Sequence, residues 1–267
     1  MSRRRTPDRR TRRVVFLLLG AAFAIGPIVS AGAAEPATRS LEAGGAASHY
    51  TGGLGDADAQ FVRFGMARAD DYSWRLEIGR EHRFGERSFN YGGGVTRTLG
   101  GTTFGLGLGS GTNRYLAPRY RFDASVMRPL GGVLTTLGYT RLQSKAVNRS
   151  DGIGLGLVRY VGHWILGASG RVEFGSPGRT TSTSGGGSVT WFIWKQTYLG
   201  VGYEAGRVSY LLLGPGLGAQ VDYPSKDFNA TFSQWFNAKS GVNLRFDYGE
   251  TPFYTVRGGT LSFFAEW

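Results

Sequence analysis

His49, His82 and His163 are the side chains best suited to move a proton near neutral pH. Asp56 and Asp58 follow His49 closely, so a His–Asp couple is the first chemistry to weigh. Such a couple would serve a hydrolase working at the rim of a larger scaffold. It also needs a nucleophile, and the spacing fixes none beside His49 or His82. No catalytic residue is assigned, and a rim hydrolase using His49 or His82 stays as an alternative. His163 falls in a Gly162-His163 pair with the character of a tight turn. The chain has no cysteine, which removes thiolate nucleophiles, thiolate metal sites, disulfides and lipoprotein acylation. Neither a metal nor a cofactor is expected.

Two glycine runs, Gly107-Leu108-Gly109-Ser110-Gly111 and Gly152-Ile153-Gly154-Leu155-Gly156, have the spacing of a nucleotide-binding loop. That loop needs a strand before it, a helix after it and its glycines at the turn. Here glycine alternates with Leu or Ile inside extended segments, so the small residues share one face. The nucleotide reading is rejected. A net charge of +12 suggests nucleic acid until it is located. Residues 1–33 hold seven Arg and one Asp, which leaves 24 basic against 18 acidic residues and no basic run. Nucleic acid is not an expected partner.

The elements that must position any site are strands. From Arg39 onward the hydropathy alternates with period two and breaks at turn residues every ten to fifteen positions. Val62, Phe64 and Met66 share one face of a segment whose other face carries Phe61, Arg63 and Gly65. Trp74, Leu76 and Ile78 oppose Arg75, Glu77, Gly79, Glu81 and Arg83 in the next. The pattern repeats to about fourteen strands, with Gly100-Gly101, Leu130–Gly132, Gly162-His163 and Trp194-Lys195 as short turns. Longer connections at Asn113–Pro118, Ala146–Asp151, Gly175–Thr181 and Ser209–Tyr223 alternate with them. Short turns at one end and long loops at the other, with an even strand count, are the habit of transmembrane barrels.

The two ends of the chain agree. Arg9 to Arg13, an apolar stretch from Val14 towards Ile28 and Ala31-Gly32-Ala33 have the three-part layout of a secretory signal peptide over residues 1–33. The chain closes on an amphipathic strand with Leu261, Phe263 and Trp267 on one face, the expected recognition signal for barrel assembly. The partners expected from this are outer-membrane lipid and lipopolysaccharide, the barrel-assembly machinery and periplasmic chaperones. The expectation is therefore an all-β, closed, antiparallel, up-and-down transmembrane barrel over residues 34–267, with 12 to 16 strands bracketing the count.

In that register Arg63, Arg75, Glu77, Glu81, Arg83, Arg121, Asp123, Arg171, Glu173, Glu204, Asp227, Arg245 and Asp247 face the lumen. Arg68, Arg97, Arg128 and Arg159 fall in the apolar frame at the short-turn ends, where a long cation reaches the interface. Arg80, Arg141 and Arg207 occupy the same frame at the opposite ends and are expected to face lipopolysaccharide phosphates. Mixed charge on a lumen wall leaves two readings open: a polar passage, or a self-neutralising network filling a closed scaffold.

The signal peptide, the strand–turn run, the aromatic ending, the Pro118-Arg119-Tyr120-Arg121-Phe122 segment and the Gly214-Pro215-Gly216 loop together resemble the YaiO family of outer-membrane β-barrel proteins. The resemblance implies location in the outer membrane of a Gram-negative bacterium and a link to envelope polysaccharide, and it supplies no catalytic residues. The leading expectations are passive passage of small hydrophilic solutes or an accessory role in envelope polysaccharide. A purely structural barrel with a salt-bridged lumen and a soluble lipocalin-like binder are the other readings.

Overall fold

The computed structural model describes residues 37–68, 71–113, 116–145, 148–194, 196–211 and 220–267. The signal-peptide segment, the Ala69-Asp70 part of one turn, Lys195 of another and the Gly214-Pro215-Gly216 loop lie outside the described residues. Fourteen strands run in chain order: β1 Thr38–Tyr50, β2 Gly55–Arg68, β3 Tyr72–Arg83, β4 Glu86–Leu99, β5 Thr102–Gly111, β6 Tyr120–Leu130 and β7 Val133–Gln143, then β8 Arg149–Val161, β9 Trp164–Ser176, β10 Thr180–Trp194, β11 Thr197–Leu211, β12 Gln220–Asn237, β13 Ser240–Glu250 and β14 Thr255–Glu266. Each pairs antiparallel with its sequence neighbours, and β1 pairs with β14 to close the barrel. Closure leaves no unpaired edge, which is what a chain in lipid requires of its backbone amides.

Side-chain alternation fixes inside and outside. Leu76, Ile78, Val95, Leu106, Leu108, Leu137, Ile153 and Val201 are exposed and all fall on the outer face. The opposite face is concave: Glu42 on β1 reaches Asn243 on β13 across the intervening β14. Only the inside of a closed sheet allows contact over a strand. Phe64 and Trp74 pack with ring centroids 5.3 Å apart, Phe64 and Trp267 at 6.2 Å, and Trp164 stacks on Trp191 at 5.6 Å. These outward rings form a girdle near the turn end, where both termini lie. Phe89, Tyr91, Phe122, Tyr139, Phe246 and Tyr248 face outward nearer the loop end. Two aromatic belts about an apolar band are the mark of a membrane-spanning barrel.

The turns follow their residues. Gly100 and Gly101 have φ of 57° and 74°, the paired left-handed geometry of a type I′ turn, in which a side chain would be strained. Two of the longer connections are shorter than the sequence pattern suggests. Gly175–Thr181 reduces to residues 177–179, and Ser209–Tyr223 to residues 212–219. Strands β9 to β12 continue past the apolar band because pairing between polar residues carries on above the membrane edge. Phe84-Gly85, at the loop end, is a two-residue turn with φ of 55° and 75°, so the alternation of short and long is not strict.

Candidate lumen site

All thirteen charged residues assigned to the lumen lie on the inward register, and most are brought into pairs. Arg63 Nε donates to Glu77 at 2.7 Å and its Nη1 to Glu42 at 3.2 Å, with the guanidinium 4.2 Å from the Phe61 ring centroid. Arg83 pairs with Glu81 at 3.0 Å. Arg121 makes two hydrogen bonds to Asp123, at 2.8 and 3.1 Å, and Thr140 donates to the same carboxylate at 2.8 Å. Arg171 pairs with Glu173, and Arg245 with Asp247 at 2.7 Å. Arg75 forms no ion pair among the described residues. Glu204 and Asp227 share a rung of β11 and β12, with no cation paired to either among the described residues.

The arrangement follows from strand geometry. Residues two apart point to the same side, so Arg-x-Asp or Arg-x-Glu places opposite charges next to each other. Arg75-Leu76-Glu77, Arg121-Phe122-Asp123, Arg171-Val172-Glu173 and Arg245-Phe246-Asp247 repeat that spacing. Only in the first does Arg63, on the neighbouring strand, take the carboxylate, and this is what leaves Arg75 alone.

Glycine lets these side chains lie along the wall. A methyl group at Gly152 would stand 3.0 Å from Arg171 Nη2 and 3.1 Å from its Nε, so the arginine crosses the space a side chain would fill. Phe61 crosses Gly44 in the same way, where a Cβ would meet the ring at 2.7 Å. The backbone of a fourteen-stranded barrel has a radius of about 14 Å at the usual spacing and tilt. Side chains lying flat against it leave the centre free.

Glu42 was not among the residues singled out from sequence. It accepts hydrogen bonds from Ser262 at 2.5 Å, Arg63 at 3.2 Å and Asn243 at 3.4 Å, joining four strands at the closure seam. Its alternation with Leu41 and Ala43 was a readable signal; its partners on β13 and β14 were not. At the other end, residues 116–117 of the β5–β6 connection pack inward. Leu116 and Ala117 are buried, Ala117 packs by inward-facing Gly111, and Asn113 bonds Glu86, the Arg87 carbonyl and Ser88. Lys145 of the next loop donates to the Gly111 carbonyl.

The three outer-end arginines are on the outward register. Arg141 lies 3.6 Å from Asp151, which also bonds Arg149 at 2.9 Å and accepts from the Tyr139 hydroxyl at 2.6 Å. Arg207 pairs with Asp222 at 3.0 Å, whereas Arg80 has no ion-pair partner among the described residues. His49 and His82 also point outward, each to an aspartate: His49 Nδ1 to Asp56 at 2.6 Å, His82 Nδ1 to Asp58 at 3.2 Å. Leu261, Phe263 and Trp267 face outward on β14, and Trp267 exchanges backbone hydrogen bonds with Arg39 at 2.9 and 3.0 Å.

A closed barrel with an apolar outer band, two aromatic belts and a charged, glycine-lined interior defines an integral outer-membrane β-barrel protein of a Gram-negative envelope. The chain belongs to the YaiO family, whose YaiO membrane beta barrel domain matches residues 38–211. Among solved structures it is similar to a bacterial polysaccharide outer membrane secretin, with TM-score 0.55 and 7% identity, covering 86% of this chain and 98% of the other. Omp33 of Acinetobacter baumannii aligns with TM-score 0.54 and 9% identity over 85% and 98% of the two chains. An anion-selective porin from Comamonas acidovorans gives 0.50 and 7% over 87% and 99%. At such identities the likeness speaks for the fold alone. No curated protein matches the chain in sequence.

Proposed function

We propose that the barrel is a water-filled passage for small hydrophilic solutes with a preference for cations. One observation carries the reading. The inward positions of β4, β5, β8 and β10 are mostly Gly, Ser and Thr, so much of the wall has no side chain long enough to fill the lumen. A closed scaffold of this size would need large side chains there instead.

The preference follows from the inward charges. Among the described strand residues six arginines and ten carboxylates face inward, of which Glu86 and Glu266 stand at the rims. The excess is negative, and Glu204 with Asp227 is its strongest local expression. Leu116 and Ala117, packed inward, narrow one side of the outer mouth. No catalytic role is assigned: His49 and His82 point away from the lumen, and the hydrogen bond each makes goes to a carboxylate.

Purified protein in a planar bilayer should conduct, with potassium favoured over chloride. Changing Glu204→Gln and Asp227→Asn together should reduce that preference. A silent bilayer from folded protein would discard the passage and favour a structural barrel. A second reading, an accessory to envelope polysaccharide, draws on inward aromatic pairs near the turn end. Phe192 meets Tyr198 at 4.7 Å and Trp235 meets Phe264 at 4.6 Å. Their apolar faces suit sugar rings, and the structural likeness to a polysaccharide secretin is in keeping with it. Oligosaccharide block of the ion current, lost in Trp235→Ala, would support it.

A further inference from the structure

Outward charges are costly in the lipid band of a barrel, yet one sector collects five of them, together with two histidines, at a single height. Arg257 on β14 shares a rung with His49 on β1, and His49 shares one with Asp56 on β2. On the adjacent rung, Asp58 of β2 is followed by His82 of β3 and Arg87 of β4. Arg80 lies two residues before His82 on the same face of β3. The patch is open to the surroundings: the side chains of His49 and Asp56 are 65% and 83% exposed.

Its height fits a headgroup. His82 stands eight residues beyond Trp74 of the turn-end girdle, a climb of about 20 Å along a tilted strand. The apolar band is about 25 Å tall, so the patch lies at its outer edge. Both aspartates are engaged by histidines through Nδ1, which orients each imidazole and turns Nε2 away from its carboxylate. The guanidinium groups of Arg80, Arg87 and Arg257 have no carboxylate partner among the described residues; Arg257 leans 5.7 Å from the Tyr248 ring. Glu250, the nearest further acid on β13, shares its rung with Lys226. Three arginines with no carboxylate of their own among the described residues, beside aspartates already hydrogen-bonded to histidines, make a surface for phosphate at the membrane edge.

We propose that this outward sector of β14, β1, β2, β3 and β4 is a binding site for the phosphate groups of an outer-leaflet glycolipid. The site is separate from the lumen and holds one lipid against the closure seam. Arg141 and Arg207, by contrast, already have carboxylates against them and contribute less.

The test uses the intact barrel in detergent, with lipopolysaccharide and its enzymatically dephosphorylated form as probes, read by native mass spectrometry. Heat-modified gel mobility confirms folding in every variant. The double change Arg87→Gln and Arg257→Gln should weaken binding of phosphorylated lipid by roughly tenfold or more. The opposite change, Asp56→Asn with Asp58→Asn, should tighten it, an effect that mere loss of stability cannot produce. Ion conductance should be unaltered in both. Equal affinity for the dephosphorylated lipid, or unchanged binding in both variants, would overturn the site. Full competition by inorganic phosphate would make it a free-anion site. Binding that requires added calcium would instead assign the aspartates to a bridging cation. Either result overturns the proposal.

Discussion

Arg75→Glu is the sharpest probe of the lumen, because among the described residues Arg75 is the inward arginine with no ion-pair partner. Reversing it changes the wall by two charges without setting a new carboxylate against a broken pair. With a backbone radius of about 14 Å and a side chain reaching about 6 Å inward, the charge lies about 8 Å from the axis. In water one unit charge at that distance acts on a permeating ion with about 0.5 kcal/mol, and screening near 0.1 M salt reduces this to about 0.2 kcal/mol. Two units give about 0.5 kcal/mol, favourable to cations and unfavourable to anions in equal measure. The permeability ratio should therefore move about fivefold towards cations. The reversal potential across a potassium chloride gradient near 0.1 M measures it directly. The shift should nearly vanish near 1 M salt, where the screening length falls to about 3 Å. A conducting barrel with an unmoved reversal potential would refute the placement of Arg75 in the water-filled path. A shift that persists at high salt would refute the electrostatic account.

Three further outcomes follow from the contacts. Glu42→Ala removes the acceptor shared by Arg63, Ser262 and Asn243 and should cost roughly 2–3 kcal/mol, read as a lower unfolding temperature on heat-modified gels; an unchanged transition would remove Glu42 from the seam. Gly152→Leu should push Arg171 off the wall towards the axis and reduce conductance, whereas Gly170→Leu, on the outward face with no atom nearer than 3.9 Å, should leave conductance unchanged. Removing residues 264–267 takes away Phe264, Trp267 and the last rungs of the β1–β14 ladder. That chain should be exported but not inserted, and normal insertion in membrane fractions would end the role of Phe264–Trp267 in assembly.

The sequence by itself determined the strand number, the inward and outward frames and the membrane environment. Each of these is written locally. Alternation with period two in segments such as Tyr72–Arg83 assigns every side chain to a face once one is known, and Gly100-Gly101 dictates its own turn. The thirteen lumen charges were legible for that reason. Which charges neutralise each other was not, because partners on different strands depend on register. Arg63 and Glu77 are fourteen residues apart and meet only because β2 and β3 pair as they do, which in turn isolates Arg75. Tertiary structure alone decided the seam, where Glu42 meets residues 201 and 220 positions away, and the inward packing of Leu116 and Ala117. It also decided that His49 and His82 each share a rung with an aspartate on the outer face rather than at a lumen rim. Alternation assigns a face to each residue, but only closure of the sheet sets which strands become neighbours and therefore which charges remain free.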